Sequence, residues 1–288
     1  MVTPTKPDEF HDFFRGDAMT ESYRKVRTSY SPELAKEMFD YLKKKPGTTK
    51  YAVDVGCGSG QSTFMLAPYF NSVLGVDISL DQIKVAEESE HIPSNVSFKV
   101  ASCGDIPVQT GKVDLITAGT AIHWFDLKTF YPEVTRLLRP GGCLAIYSFQ
   151  EIKVETGDAN QTMKINNLIK KVEETVLDNR LDHWSISRSV QTGKFQDLEL
   201  PFQECKRGVI VPIKKESTVQ NIVGLLKSYS ESKQYMRTHS GGAKIFDELE
   251  SSIMGIIGNS GAAENALMTL VIPVFLVMSR KPEYCNDE

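Results

Sequence analysis

The stretch Ala52-Val53-Asp54-Val55-Gly56-Cys57-Gly58-Ser59-Gly60-Gln61-Ser62-Thr63 decides the fold. An apolar, β-branched run meets three glycines at alternate positions. Ser62 and Thr63 then open a periodic apolar segment through Phe64, Met65, Leu66 and Tyr69. That pattern is a strand, a tight turn and a helix start. The spacing speaks to the ligand. A dinucleotide turn reads G-x-G-x-x-G and brings a pyrophosphate to the helix N-terminus, whereas Gly56, Gly58 and Gly60 give G-x-G-x-G behind Asp54. A carboxylate aimed at the turn opposes a pyrophosphate and suits a ligand bearing an ammonium group. A second strand closes on Gly75-Val76-Asp77, where a ribose-binding carboxylate belongs. The two features together point to a ribose-bearing, cationic cofactor.

Working outward, strands are expected at 51–55, 73–77, 96–101, 113–118 and 142–148, with helices near 61–69, 80–89 and 127–138. This alternation predicts an α/β fold, a doubly wound, Rossmann-like, mostly parallel sheet with helices on both faces. Ligands of such sheets bind beyond the carboxyl ends of the strands, so the loops after Val55, Asp77, Val100 and Ala118 should converge. Before the sheet, an irregular arm leads to an amphipathic helix at 33–45 with Ser31 as N-cap and Pro32 in the first turn. After it, a helix is expected at 160–179, a strand at 205–213, helices at 217–233 and 243–257, and a last buried strand at 268–278. The whole of 1–288 reads as one domain. Its parts are an N-terminal arm and helix (1–45), a cofactor-binding core (46–150), and completing strands (151–288) with a helical substrate cap near 214–262.

Composition narrows the partners. With 41% hydrophobic and 24% charged residues the chain can bury a core, and a net charge of −4 argues against a general affinity for nucleic acid or anionic membrane. No secretory signal pattern opens the sequence, and the longest apolar run, 267–278, is too short for a membrane span. The five cysteines are scattered without a C-x-x-C pair, which predicts reduced thiols, no metal site and a cytoplasmic setting. Oligomeric state is left open.

Asp54-Val55-Gly56-Cys57-Gly58-Ser59-Gly60, Gly75-Val76-Asp77, Asp105-Ile106-Pro107, Asp114-Leu115-Ile116-Thr117 and Leu138-Arg139-Pro140-Gly141-Gly142 follow one another in order. This series resembles that of the class I S-adenosylmethionine-dependent methyltransferases, of the type 11 domain kind, and the resemblance implies a seven-stranded sheet. More narrowly, Tyr23, Arg27 and Tyr30 ahead of the sheet and His123-Trp124-Phe125-Asp126 after the fourth strand resemble small-molecule methyltransferases of the trans-aconitate type. Thr28 and Ser31 stand where that pattern has prolines, and Ser102 where many relatives have aspartate. The likeness covers 23–149 well and 150–288 loosely, around Leu226-Lys227-Ser228-Tyr229-Ser230.

The resemblance implies S-adenosyl-L-methionine as cofactor and S-adenosyl-L-homocysteine as product. Gly56, Gly58 and Gly60 would let the backbone approach the cofactor, and Asp77 would accept from both ribose hydroxyls. Ile78 would pack on adenine beside Ser102, Cys103 and Asp105, with Ala118 at the carboxyl end of the fourth strand and Tyr23 and Arg27 folding over the cofactor's amino acid end. Bland alternatives stand beside these roles: Asp54 as a helix cap, Ile78 as core, Asp105 as an ordinary turn residue. His123 and Trp124 would face the acceptor, with His123 positioning substrate or taking a proton, or else both are structural. Tyr229 would line the substrate side or pack in the core. The activity implied is methylation of a small molecule, first a carboxylic acid oxygen. The alternatives are N- or S-methylation, or cofactor binding without catalysis.

Overall fold

In a computed structural model of the chain, the described residues are 30–45, 47–178, 195–258 and 261–283. Tyr23 and Arg27 lie outside them. The first helix, α1 (Pro32–Lys43), starts with proline in its first turn and buries Leu34, Met38, Tyr41 and Leu42 along one face. Then follow β1 (Tyr51–Val55), α2 (Gln61–Leu66), a 3-10 turn at Ala67–Tyr69, β2 (Ser72–Asp77), α3 (Leu80–Glu87), β3 (Val96–Val100) and β4 (Val113–Gly119). A 3-10 turn at Ile122–Trp124 leads into α4 (Leu127–Leu137), β5 (Leu138–Phe149), β6 (Lys153–Glu155) and α5 (Ala159–Asp178). The chain is completed by β7 (Glu204–Thr218), α6 (Val219–Ser228), α7 (Ser230–Thr238), α8 (Lys244–Ile257) and β8 (Leu267–Arg280).

The sheet has eight strands, not seven, in the order β3-β2-β1-β4-β5-β8 with β7 on the far edge of β8. Strands β1 to β5 pair in parallel, and β8 runs antiparallel to β5, β6 and β7. The extra strand, β6, covers only Lys153–Glu155 and pairs with Thr269–Val271 of β8. Three residues with one buried valine carry no readable alternation, so periodicity cannot find it. Other boundaries also move. The strand expected at 205–213 runs on to Thr218, because Lys214, Lys215 and Glu216 stay in register against β8. The helix expected at 217–233 is two helices meeting at Tyr229, whose extended backbone (φ −64°, ψ 145°) ends one and caps the next.

One sheet face carries Ala52, Leu115, Ala145 and Tyr147 against α1, α5, α6 and α8. The other carries Val53, Val55, Ile116, Ala118 and Ile146 against α4. In the segment expected to form a cap, the first helix begins at Val219, and Ile222, Val223, Leu226, Phe246, Leu249 and Ile253 are buried in the same core as the sheet. Arg280, 1% exposed, ties this half to α1 by donating to the carbonyls of Tyr41, Leu42 and Gly141 and pairing with Glu204.

Candidate cofactor and acceptor site

Because β1 to β4 are parallel and in register, their carboxyl ends lie together, and the predicted loops meet there. The glycine turn is pinned to β2: the N–H groups of Gly56 and Cys57 both donate to the Val76 carbonyl, at 2.8 and 3.0 Å. Gly56 has φ 69°, and a Cβ there would lie 2.6 Å from the Ala121 Cβ, so both backbone and space require glycine. Gly58 (φ 53°) differs. Among the described residues its missing Cβ faces open room, with Gln82 Oε1 at 3.7 Å the only atom near it, and its N–H donates to Asp77 Oδ2 at 2.9 Å. Gly60, with left-handed backbone, caps α2.

Asp54 lies inside the fold. It is 0% exposed, and its carboxylate accepts from Ser62 Oγ (2.5 Å), Thr63 Oγ1 (2.7 Å) and Thr117 Oγ1 (2.7 Å). Burial pushes its pKa up, while the three hydroxyls pull the other way. It ties the first turn of α2 to the end of β4 beside the glycine turn. The helix-cap alternative takes another form, since Gly60 is the N-cap and Asp54 accepts from the Ser62 and Thr63 hydroxyls of the first turn rather than from backbone N–H groups.

Asp77 is placed differently. Its Oδ2 accepts from Gly58 and its Oδ1 from the Ser79 N–H at 2.9 Å. An ionised carboxylate has about four acceptor positions, and the Ile78 N–H also bears on this one, so the carboxylate keeps room for a further donor. Burial raises its pKa, against the pull of those backbone donors. Next to it Ile78 is 68% exposed. A large apolar side chain left in water at the mouth of a site is ready to meet a flat apolar ligand.

Across from Ile78, the loop after β3 folds as a tight turn. Ser102 and Asp105 form an isolated bridge, and Gly104 N–H donates to Ser102 Oγ at 3.3 Å. Ser102 and Asp105 are exposed. The Cys103 thiol is half-buried and its pKa is raised by burial. Asp105 closes the turn by donating its N–H to the Ser102 carbonyl, in keeping with the turn alternative.

At the end of β4, Ala118 is buried, and Thr120 adopts φ 53°. A β-branched residue there costs on the order of 1–2 kcal/mol. Two contacts hold it: its N–H donates to the Tyr147 carbonyl (2.7 Å), and its hydroxyl meets Tyr30 Oη (3.2 Å). Tyr30 in turn stacks on Phe149 (centroids 4.8 Å apart) and meets Tyr147 edge-on (5.2 Å). Thr120 escaped the sequence reading because a threonine is an unfavourable choice for positive φ and carries no local signal.

His123 and Trp124 sit on the 3-10 turn that follows, their rings 4.8 Å apart. Burial holds the His123 pKa down at about 4, while Glu231 in α7 pulls it upward. The imidazole is therefore uncharged at neutral pH, and α7 lies close enough for its acid to be felt there. Tyr229, at the α6–α7 corner, is half-buried and packs against the larger core. The low His123 pKa has a consequence for stability. The unfolded chain takes up its proton near pH 6.5 and the folded one near 4, so stability falls as pH drops through that window, by up to about 3 kcal/mol. His123→Gln is expected to flatten the dependence of melting temperature on pH between 6.5 and 4; parallel curves for variant and wild type would contradict this placement of His123.

Among the described residues no group of three or more His, Cys, Asp or Glu is arranged to hold a metal, and no helix is long and apolar enough to cross a membrane.

Residues 53–146 match the methyltransferase domain family. The chain carries a class I S-adenosylmethionine-dependent methyltransferase domain. A Dictyostelium discoideum protein named as a methyltransferase is 29% identical over 97% of both chains. The methyltransferase CRG1 of Saccharomyces cerevisiae, named as S-adenosylmethionine-dependent, is 33% identical over 44% of this chain and 44% of its own. In fold, the methyltransferase resembles a structure from Anaeromyxobacter dehalogenans described as a type II methyltransferase. That likeness has a TM-score of 0.73 at 23% identity and covers 89% of this chain and 99% of that one. The groove fits S-adenosylmethionine on its own chemistry: Asp77 has acceptor positions to spare, Gly58 leaves its near side open, and Ile78 is uncovered.

Proposed function

We propose that this methyltransferase acts on a small molecule, with a carboxylic acid oxygen as the first acceptor class. The supporting observation is that His123, at the mouth beyond β4, lies within the electrostatic reach of Glu231 from the chain's own α7. An acceptor side shared with a second element of the same chain suits a small ligand better than a macromolecule.

When bound, S-adenosylmethionine would supply a methyl group on a sulfonium, which the acceptor would take with S-adenosylhomocysteine as the leaving product. The chain's work is to bind and align, which supplies much of the rate in such a displacement. In this reading Asp77 accepts the ribose hydroxyls, Ile78, Ser102, Cys103 and Asp105 flank the adenine, and the backbones of Gly56, Gly58, Gly60 and Ala118 approach the methionine end. Asp54 acts behind the turn. Tyr23 and Arg27 are assigned by resemblance alone, Arg27 because its planar fork suits a carboxylate. His123, Trp124 and Tyr229 border the acceptor.

A carboxylate is already ionised at neutral pH and needs no base, so an uncharged His123 has only to orient it by donating a hydrogen bond. The same uncharged imidazole supports a second reading, a hydroxyl, thiol or amine acceptor whose proton His123 takes.

Radiolabelled S-adenosylmethionine offered with panels of carboxylic acids, alcohols, thiols and amines separates the two. The first reading expects label in an alkali-labile ester, and His123→Gln within about tenfold of wild-type turnover. Label confined to the other panels, with a loss of about 10²–10⁴ in the variant, would replace it by the second.

A further inference from the structure

The loop between β3 and β4 does not hang free beside the site; helix α4 grips it at alternate residues. At Gly104, a Cβ would stand 3.0 Å from the Thr129 Cβ, so the loop backbone lies directly on the first turn of the helix. Two residues on, the Ile106 N–H donates to Glu133 Oε1 at 2.7 Å, and the Ile106 carbonyl accepts from Arg136 Nη2 at 3.0 Å. Two further on, the Val108 carbonyl accepts from Arg136 Nη1 at 2.8 Å. Thr129, Glu133 and Arg136 are spaced four and three apart and share one helix face. Loop residues 104, 106 and 108 are thus matched to successive turns of α4.

The grip is stiff for a chemical reason. Glu133 and Arg136 meet through two hydrogen bonds, Nε to Oε2 at 2.7 Å and Nη2 to Oε1 at 2.6 Å. Glu133 is 7% exposed and Ile106 1%. The guanidinium beside it holds the Glu133 carboxyl below the usual range, so the pair stays charged at neutral pH. The other end of α4 is joined to the rest of the site. Its N-cap Asp126 follows His123, Trp124 and Phe125, and the Phe125 ring lies 3.1 Å from where a Gly56 Cβ would be. A single helix therefore sets the loop of Ser102 and Cys103 against the glycine turn and the acceptor side.

We propose that Glu133 and Arg136 are positioning residues for recognition of the cofactor's adenine: they hold the loop at 102–108 in its binding conformation before the cofactor arrives. The inference rests on the reading of Ser102 and Cys103 as the adenine edge. Pre-ordering a recognition loop favours affinity, since the ordering cost is met in folding rather than in binding. It also favours discrimination, because a fixed hydrogen-bonding edge rejects a base with the wrong donor and acceptor pattern.

The experiment compares two probes by calorimetry, S-adenosylhomocysteine and its inosine counterpart, whose ring N1 and exocyclic group exchange donor and acceptor roles. Wild-type protein is expected to prefer the adenine form by about tenfold or more. Glu133→Gln breaks the charge pair, and Arg136→Lys keeps the charge but loses the fork that reaches two carbonyls. Each is expected to bring the preference below about threefold, mainly by weakening the adenine form. A purely structural role for the pair would weaken both probes alike. Preference retained in both variants would overturn this inference alone, whatever the change in absolute affinity. No preference in the wild type would overturn the assignment of the loop to adenine, and the inference with it.

Discussion

Asp77→Ala is expected to weaken binding of S-adenosylhomocysteine by about 10²–10⁴-fold while leaving a folded chain. The Asp77 oxygens already accept the Gly58 and Ser79 N–H groups, and their remaining acceptor capacity is what the proposed reading gives to the ribose hydroxyls. Hydrogen bonds to a charged group contribute about 1.5–3 kcal/mol each. Losing two gives about 3–6 kcal/mol, the stated range in affinity. The variant also frees the Gly58 N–H, which loosens the turn that approaches the cofactor. Asp77→Asn keeps one oxygen acceptor and should fall between the two. Calorimetric titration checks both, and an alanine variant that binds within about threefold of wild type would remove Asp77 from the ribose.

The second large effect is expected at Gly56. Gly56→Ala must hold an L-residue at φ 69° and place a methyl 2.6 Å from the Ala121 Cβ and 3.1 Å from the Phe125 ring. Left-handed backbone costs about 1–2 kcal/mol, and overpacking about 1–3 kcal/mol more. Together these predict a loss of about 2–5 kcal/mol, or a fall in melting temperature of roughly 5–15 °C for a domain of this size. Relief by displacement would move residues 121–125, and His123 and Trp124 with them, so cofactor affinity should fall too. Gly58→Ala offers a contrast, because its Cβ would enter open space and only the backbone term of about 1–2 kcal/mol remains. Equal melting of the Gly56 and Gly58 variants would contradict the close approach at Ala121.

What the sequence made legible was whatever repeats with a period or depends on a local turn. The five parallel strands fall where the pattern predicts, with helices between all but β3 and β4, and the glycine turn sits between β1 and α2 as its spacing predicts. Asp77 at the end of β2 followed from the same pattern. What stayed hidden depends on partners far along the chain. Nothing near Thr120 announces a left-handed threonine, because Tyr30 and Tyr147 hold it from distant elements. From the sequence, Asp54 is a strand-end carboxylate aimed at the glycine loop. Only the folded chain brings Ser62, Thr63 and Thr117 around its carboxylate. Glu133 and Arg136 look on their own like an ordinary surface pair on a helix, and their contacts with Ile106 and Val108 span more than twenty residues. The break between α6 and α7 was equally silent, since Tyr229 carries neither proline nor glycine.

The most direct measurement is a crystal structure of the chain with S-adenosylhomocysteine. The account predicts the two ribose hydroxyls on the two oxygens of Asp77, at about 3 Å. It places the adenine between Ile78 and the Ser102–Cys103 edge, and the sulfur beyond Ala118 toward His123 and Trp124. A bound product whose ribose makes no contact with Asp77, or whose sulfur points away from His123, would contradict it.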